Sequence, residues 1–598
     1  MAYIPYTYVP IGSSGAKKTV YTLPYNGVKL SEKEEITPDG FCRHLLNMDI
    51  GNGRIKSRSG QKKAVSDFYA QGTFHGSFRT EYFGNLVFHV GTRLYVLNEK
   101  SKEPVLISDS LPDKKSLMCN FMSKLYIYCD SRIFSLDKKL VLKEEMPTPV
   151  TLYKDVNASL IGDGTRLDVP FNALAPRITV VYKENKVKHY HLPCLLDTSR
   201  PYEIYSNGKL VDNSTCSVTE DLITLPDLFL YGSDVVITVT YYLKNPEEEG
   251  FERVIEGCNL VCDFGGKASG GTRLLFTGNP DYEGRYYKSE FQDPLYCASD
   301  NFETIGDGSS NITALLKMYG SLIIFTENSV YKMSYTLNQD GAFFSTKQIS
   351  DYVGCDCPET LQLIDNRVVF LNSQKGVFIV DSTDEAGEHN IKPLSGNVQK
   401  GEEYGLSSID AQDLKNASSA DFDRKYMLFA AGRAYVWDYD KSAYYDSNSY
   451  SKAQSRLCWY IYDNVEGKGF CCLGTRLISF AQDTDSIRLC EYPDVETQGG
   501  IEGVLESGNI EGFADGKRRF VTGMGIRLSG CENCSIKLTF FADGEEYYSK
   551  TVKAGKLSKQ KALFSLPRKA LYNFGFKMSA TDMCAVDGIE FFSREISE

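Results

Sequence analysis

One short motif recurs along this 598-residue chain and restricts its folding more than any other feature. Residues 86–98 (LVFHVGTRLYVLN) lie over residues 125–137 (LYIYCDSRIFSLD) without a gap, at an offset of 39. Residues 322–334 and 426–438 fit the same template, and residues 368–381 fit it with one inserted residue. Each copy has an apolar run, a polar turn and a second apolar run with an aromatic near its start, the pattern of a β-hairpin. The signature positions are Leu86 and Tyr95, Leu125 and Phe134, Leu322 and Tyr331, Val368 and Phe378, and Tyr426 and Tyr435. Weaker relatives begin at Leu274 and Leu477, with longer turns. A lone hairpin cannot bury its faces, so copies this close together predict four-stranded blades set radially, a β-propeller. Residues 76–149 and 251–504 carry the repeat, with room for about seven blades at ~40–45 residues each.

The rest of the chain departs from the template. Residues 150–250 hold alternating stretches such as RITVVY at 177–182, with a turn signal at Asn207-Gly208, and predict an inserted β-sandwich. Residues 505–598 show longer strands around the turn at Asp543-Gly544 and predict a C-terminal β-sandwich or jelly roll. Residues 1–75 are turn-rich and read as an arm lying on other surfaces. The expected fold is therefore all-β, in keeping with 39 Tyr and 33 Phe against 2 Trp. A 42% hydrophobic share supplies material for cores and argues against long disorder. The net charge of −12 leaves no basic excess for packaging nucleic acid. The 17 cysteines are scattered without paired spacing and read as reduced thiols of a chain made in a cytoplasm. Neither a secretion signal nor a run of about 18 apolar residues is legible, so no membrane span is expected.

Candidate chemistry is thin. His189-Tyr190-His191 puts two imidazoles on one face of a strand and could chelate a metal, but no carboxylate or Cys stands at ligand spacing, and a structural reading is preferred. Cys355-Asp356-Cys357 and the CxxC pair Cys531 and Cys534 lack the second pair that a zinc site needs. Gly162-Asp163-Gly164, Gly306-Asp307-Gly308 and Gly523-Met524-Gly525 lack the endings of phosphate-binding loops and read as turns. Asp483 and Asp485 lack the Gly and distal Glu of a calcium loop. Tyr444 and Tyr445 stand in a polar loop and are the aromatics least explained by a core. No GxSxG elbow, HExxH or Cys-His constellation is present, so no catalytic, cofactor-binding or metal residue is assigned and a non-enzymatic role is expected.

Three stretches, and the order propeller, insertion, propeller, terminal sandwich, bring a family into view. The segment from Asn47-Met48-Asp49 to Arg58-Ser59-Gly60 resembles the opening of the β-propeller tail proteins of short-tailed phages, the stabilisation, tail hub or nozzle proteins, with Ser59 where their turn has Pro. Residues 312–315 (ITAL) and 319–325 (YGSLIIF) resemble a strand pair of that family. Gly354-Cys355, followed by Val369-Phe370-Leu371 and Gly376-Val377-Phe378, resembles its next blade. The likeness implies a structural virion protein, assembled in the host cytoplasm and located in the tail. It would form a ring of copies, six in the family's manner, below the portal and adaptor proteins and beside other tail proteins or fibres. Viral DNA would pass through the lumen without sequence recognition, and the ring would help retain and eject it. The rival expectation is a receptor- or glycan-binding propeller of the tail, or a glycosidase; the SxDxGxTW boxes common in such enzymes are missing.

Overall fold

The template hairpins form with one shared register. In the computed structural model, the template's third residue faces its tenth: Ile127 pairs with Phe134, Ile324 with Tyr331, and Leu428 with Tyr435. Phe370 faces Phe378 across a turn one residue longer, which absorbs the insertion. The weaker relatives keep the pairing across their long turns, as Phe276 with Tyr287 and Ser479 with Cys490. The two-residue turns Asp130-Ser131 and Ala431-Gly432 hold both residues at positive φ, the type I′ geometry that matches strand twist. The structure describes residues 17–21, 23–30, 37–38, 40–51, 54–62, 68–80, 84–100, 103–154, 170–182, 187–226, 235–266, 271–318, 320–338, 341–380, 391–401, 403–441, 457–494, 499–510, 516–529, 535–553, 561–582 and 585–596.

Around each hairpin two flanking strands complete a four-stranded antiparallel blade, and among the described residues seven such blades follow in order. The second blade shows the plan: Leu117–Phe121, Lys124–Cys129, Arg132–Leu136 and Leu142–Glu145 pair consecutively. The chain is thus an all-β protein of the propeller type. It divides into two compact units, one made of residues 73–97 and 104–354, the other of residues 1–72, 98–103 and 355–598. In the first unit the opening strands of successive blades, from Phe74–Thr80 to Ile312–Met318, lie against each other, which is the radial arrangement of a propeller. The second unit repeats this with the opening strands Gln362–Ile364, Ser418–Phe422 and Lys468–Leu473.

The signature residues are buried packing of the blades. Leu86, Leu125, Leu322, Val368 and Tyr426 are fully buried, and so is Tyr435. Tyr95, Phe134 and Phe378 are buried, while Tyr331 is half-buried with its ring against Gly306. Phe88 stacks on Tyr95 at 5.3 Å and Phe370 on Phe378 at 5.9 Å. Each such side chain is worth about 1.5–3 kcal/mol on burial.

Within the first unit, the segment expected as an inserted sandwich forms a five-stranded sheet and a three-stranded sheet. These enclose their own core of Ile178, Val180, Tyr190, Ile204, Val239 and Tyr241. In the second unit, a C-terminal sandwich packs Met524, Ile526, Leu538, Phe540, Phe576 and Phe591 between two sheets.

The described residues between 17 and 72, part of the segment 1–75 expected as an arm on other surfaces, instead supply paired strands to that unit. Lys17–Tyr21, Met48–Gly51 and Arg54–Ser57 join the sandwich sheet built on Ala585–Glu595. Gly60–Lys62 and Tyr69–Gln71 pair with Ser486–Asp494, and Gly60–Lys62 is the fourth strand of the last blade. Strands of three to five residues are too short to show an alternating pattern, and their partners lie far along the chain. Gly523-Met524-Gly525 likewise is no turn: it lies within the strand Arg519–Ser529, where a Cβ on Gly523 would stand 3.0 Å from the Phe564 carbonyl. Among the described residues no helix is long and apolar enough to cross a membrane.

Candidate functional site: a buried polar joint

The strand His44–Leu46 lies between the last strand of the sixth blade and the first strand of the sandwich. Leu46 pairs in parallel with Ile461, while His44, Leu45 and Leu46 pair antiparallel with Glu506, Leu505 and Val504. One nine-stranded sheet thereby runs from blade to sandwich. At its end the chain must turn, and Asn47 does so at φ 54°, a conformation that Asn tolerates better than most residues.

The Asn47 side chain serves both bodies. Its Nδ2 donates to the Asp463 carboxylate and to the Glu502 carbonyl at 3.0 Å, and its Oδ1 accepts from the Asp463 backbone N–H at 3.0 Å. Arg58 closes the ring of bonds: Nε donates to Asn47 Oδ1 at 2.9 Å, Nη2 to the Asp463 carbonyl at 2.6 Å and Nη1 to the Ser59 carbonyl at 2.9 Å. Its guanidinium also lies over the Tyr462 ring, 5.3 Å from the centroid. Asn47 and Arg58 are 2% and 3% exposed, so these bonds are made away from water, where breaking one partner is expensive.

Charges of both signs meet behind this pair. Asp49 accepts from the Tyr462 hydroxyl and lies 3.6 Å from Lys425 Nζ. Lys441 Nζ reaches Asp438 at 2.5 Å, the Tyr460 hydroxyl at 3.1 Å and the Ile50 carbonyl. Burial lowers the Arg58 pKa, with nearby Tyr492, Tyr462 and acidic groups opposing the shift. Burial also raises Tyr460 and Tyr462; the Tyr462 hydroxyl donates to Asp49, and the Tyr460 hydroxyl accepts from Lys441 and from the Cys458 thiol. Burial pushes the Cys458 thiol, 3.1 Å from the Tyr460 hydroxyl, up to about 12. Such a network holds two bodies in a fixed orientation; it contains no activated nucleophile.

A second recurring group was missed in the sequence although its signal was there. The template's eighth residue is Arg in five blades, at Arg93, Arg132, Arg285, Arg433 and Arg488, with Ser329 and Gly376 as the exceptions. Three of them clasp the connection that enters their own blade: Arg132 the Ser110 carbonyl at 3.0 Å, Arg433 the Glu403 carbonyl at 2.8 Å and Arg488 the Glu466 carboxylate at 2.6 Å. Arg132 also holds Glu144 through two bonds of 2.9 and 2.6 Å. Arg285 instead lies over the Phe302 ring at 4.4 Å. A cation recurring at one hairpin position marks a fastening between strand and loop.

The other sequence candidates are placed as follows. His189 and His191 both lie exposed on one strand, with Tyr190 fully buried between them. Cys355 and Cys357 are fully buried, and burial raises Cys355 to about 12. Asp483 accepts from Arg488 at 3.2 Å, and Asp307 accepts from Ser309 in a turn where Gly306 and Gly308 hold φ of 61° and 76°. The Gly162 to Thr165 segment, Tyr444, Tyr445, Cys531 and Cys534 lie outside the described residues. Among the described residues no three His, Cys, Asp or Glu side chains are grouped to hold a metal ion.

No known protein family matches the chain, and neither does any curated protein. Solved structures similar to parts of it include apo AztD from Citrobacter koseri, at 11% identity over 71% of this chain and 95% of that one, TM-score 0.31. Hsv2 from Kluyveromyces lactis is similar at 7% identity over 66% of this chain and 98% of that one, TM-score 0.26. PorZ of the Porphyromonas gingivalis type-IX secretion system is similar at 11% identity over 90% and 87%, TM-score 0.18. At these scores the fold rests on the strand pairing described above.

Proposed function

We propose that this chain is a structural protein of a phage tail, a hub or nozzle subunit that forms a ring below the portal and adaptor proteins. One observation carries the reading. Asn47, Asp49 and Arg58, all from the segment that resembles the family's opening, meet in the joint that fixes the terminal sandwich to the sixth blade. A part that bears load between neighbouring rings benefits from such a connection, because a continuous sheet with a satisfied buried network resists shear at a domain boundary. Copies in a ring must meet through head-to-tail contacts, and six copies is the number the resemblance implies. The lumen would pass DNA without reading it, and the net charge of −12 suits a wall that does not grip phosphate.

Electron microscopy with mass determination, on the purified chain alone and mixed with a candidate adaptor ring, tests this. Rings with a central hole, or capture by the adaptor, are expected. A monomer that ignores the adaptor and binds or cleaves surface glycans overturns the reading in favour of a receptor-side propeller.

A further inference from the structure

We infer that His189 and His191 form a surface chelate for a borderline divalent transition metal, with Cu²⁺ the ion held most tightly and Zn²⁺ a weaker one. This inference is independent of the tail reading. On a strand, alternate residues share a face about 6.5 Å apart, close enough for two imidazoles to converge on one ion at about 2.0–2.1 Å each. The strand His189–His191 places both rings on the exposed face.

The strand is held rigidly, so little ordering is left for binding to impose. Tyr190 is fully buried, edge-on to Tyr182 at 5.2 Å, and the Tyr182 hydroxyl donates to the His191 carbonyl. Both ends are tied: Leu225 N–H donates to the Lys188 carbonyl at 3.0 Å and Leu192 N–H to the Asp221 carbonyl at 2.8 Å. The strand pairs along its length with Leu222–Thr224.

A second observation points at a ligand. His189 Nδ1 lies 3.0 Å from the Thr224 hydroxyl, and His189 faces Thr224 in the register. In the tautomer whose Nδ1–H donates to that oxygen, Nε2 keeps the lone pair that a metal would take. A hydrogen bond to the far ring nitrogen orients a metal-bound histidine, and here a hydroxyl takes the place of the usual carboxylate, carbonyl or water. Two neutral nitrogens with no protein carboxylate select the later divalent ions over Mg²⁺ or Ca²⁺, and affinity should follow the order that peaks at Cu²⁺. The remaining coordination positions fall to water or to a donor from another molecule.

Titration of the full chain with Cu²⁺ and with Zn²⁺, followed by calorimetry, and the electron paramagnetic resonance spectrum of the copper form, test the assignment. One equivalent of Cu²⁺ with a two-nitrogen signature is expected, together with its loss in the double variant His189→Ala/His191→Ala. Thr224→Val keeps both ligands but removes the support of His189, and should weaken binding about tenfold. Circular dichroism of the double variant should match the parent, since both rings are exposed. Binding unchanged in the double variant, or no stoichiometric binding by the parent, overturns the inference.

Discussion

Arg58 supplies the positive charge of the joint's innermost pair, and it bonds Asn47, Ser59 and Asp463 from a position 3% exposed. Arg58→Ala strips acceptors of their donor and leaves the surrounding carboxylates short of one positive charge. It should cost about 3 kcal/mol or more, read from the denaturant midpoint. A buried histidine gives the second expectation at this scale. His89 is fully buried beside His75, with ring centroids 4.9 Å apart, and burial followed by that neighbour lowers its pKa from 6.5 to about 4. Below pH 6.5 the unfolded chain takes up a proton at this ring that the folded chain refuses. The stability it provides is present above pH 6.5 and is lost as pH falls towards 4, up to ~3 kcal/mol. The difference in stability between His89→Phe and the parent should therefore shift in favour of the variant across that interval, measured by denaturation at stepped pH. The sequence singled out Asn47 and Arg58 only through a family likeness. Their roles depend on Asp463, 416 positions away from Asn47, and no local pattern encodes such a meeting.

Elements with local partners were legible. A hairpin declares both strands and its turn within about a dozen residues, so the template located the centre of each blade and set its register. Elements with remote partners were hidden. The strands His44–Leu46 and Gly60–Lys62 hold three residues each and gain their order from chain far away. The template does specify where a turn is less than ideal. Ala431 sits at φ 49° beside Gly432 at 73°, in a turn whose first position favours Asn, Asp or Gly. Ala431→Gly removes the left-handed penalty of its Cβ and should stabilise the sixth blade by about 1 kcal/mol, read as a raised denaturation midpoint. Gly354 behaves in the opposite way, because a Cβ there would stand 2.1 Å from the Thr326 carbonyl. Any larger residue must displace backbone at that point.

Across the whole molecule the cysteines read as packing material. Of the described ones, Cys216, Cys262, Cys471 and Cys472 are partly exposed and the rest are buried. Burial raises Cys262 to about 12 despite its partial exposure. Labelling of the native chain with a thiol reagent at pH 8, read by peptide mass, should therefore find Cys216, Cys471 and Cys472 first among the described thiols. The buried ones should react only after denaturation. The all-β class was also plain from aromatic content and hairpin spacing, whereas the path by which the two ends of the chain meet was not. That path bears on biosynthesis. A ribosome adding ~5–20 residues per second delivers Asp463 roughly 20–80 s after Asn47, the residue that awaits it. Throughout that interval Leu45 and Ile55, buried in the finished protein, lack the sandwich strands that they pair with through Leu505 and Val586. The earliest-made strands are thus the last to be seated, and the nascent chain must be shielded, by chaperones or by transient self-contacts, until its tail emerges to lock its head in place.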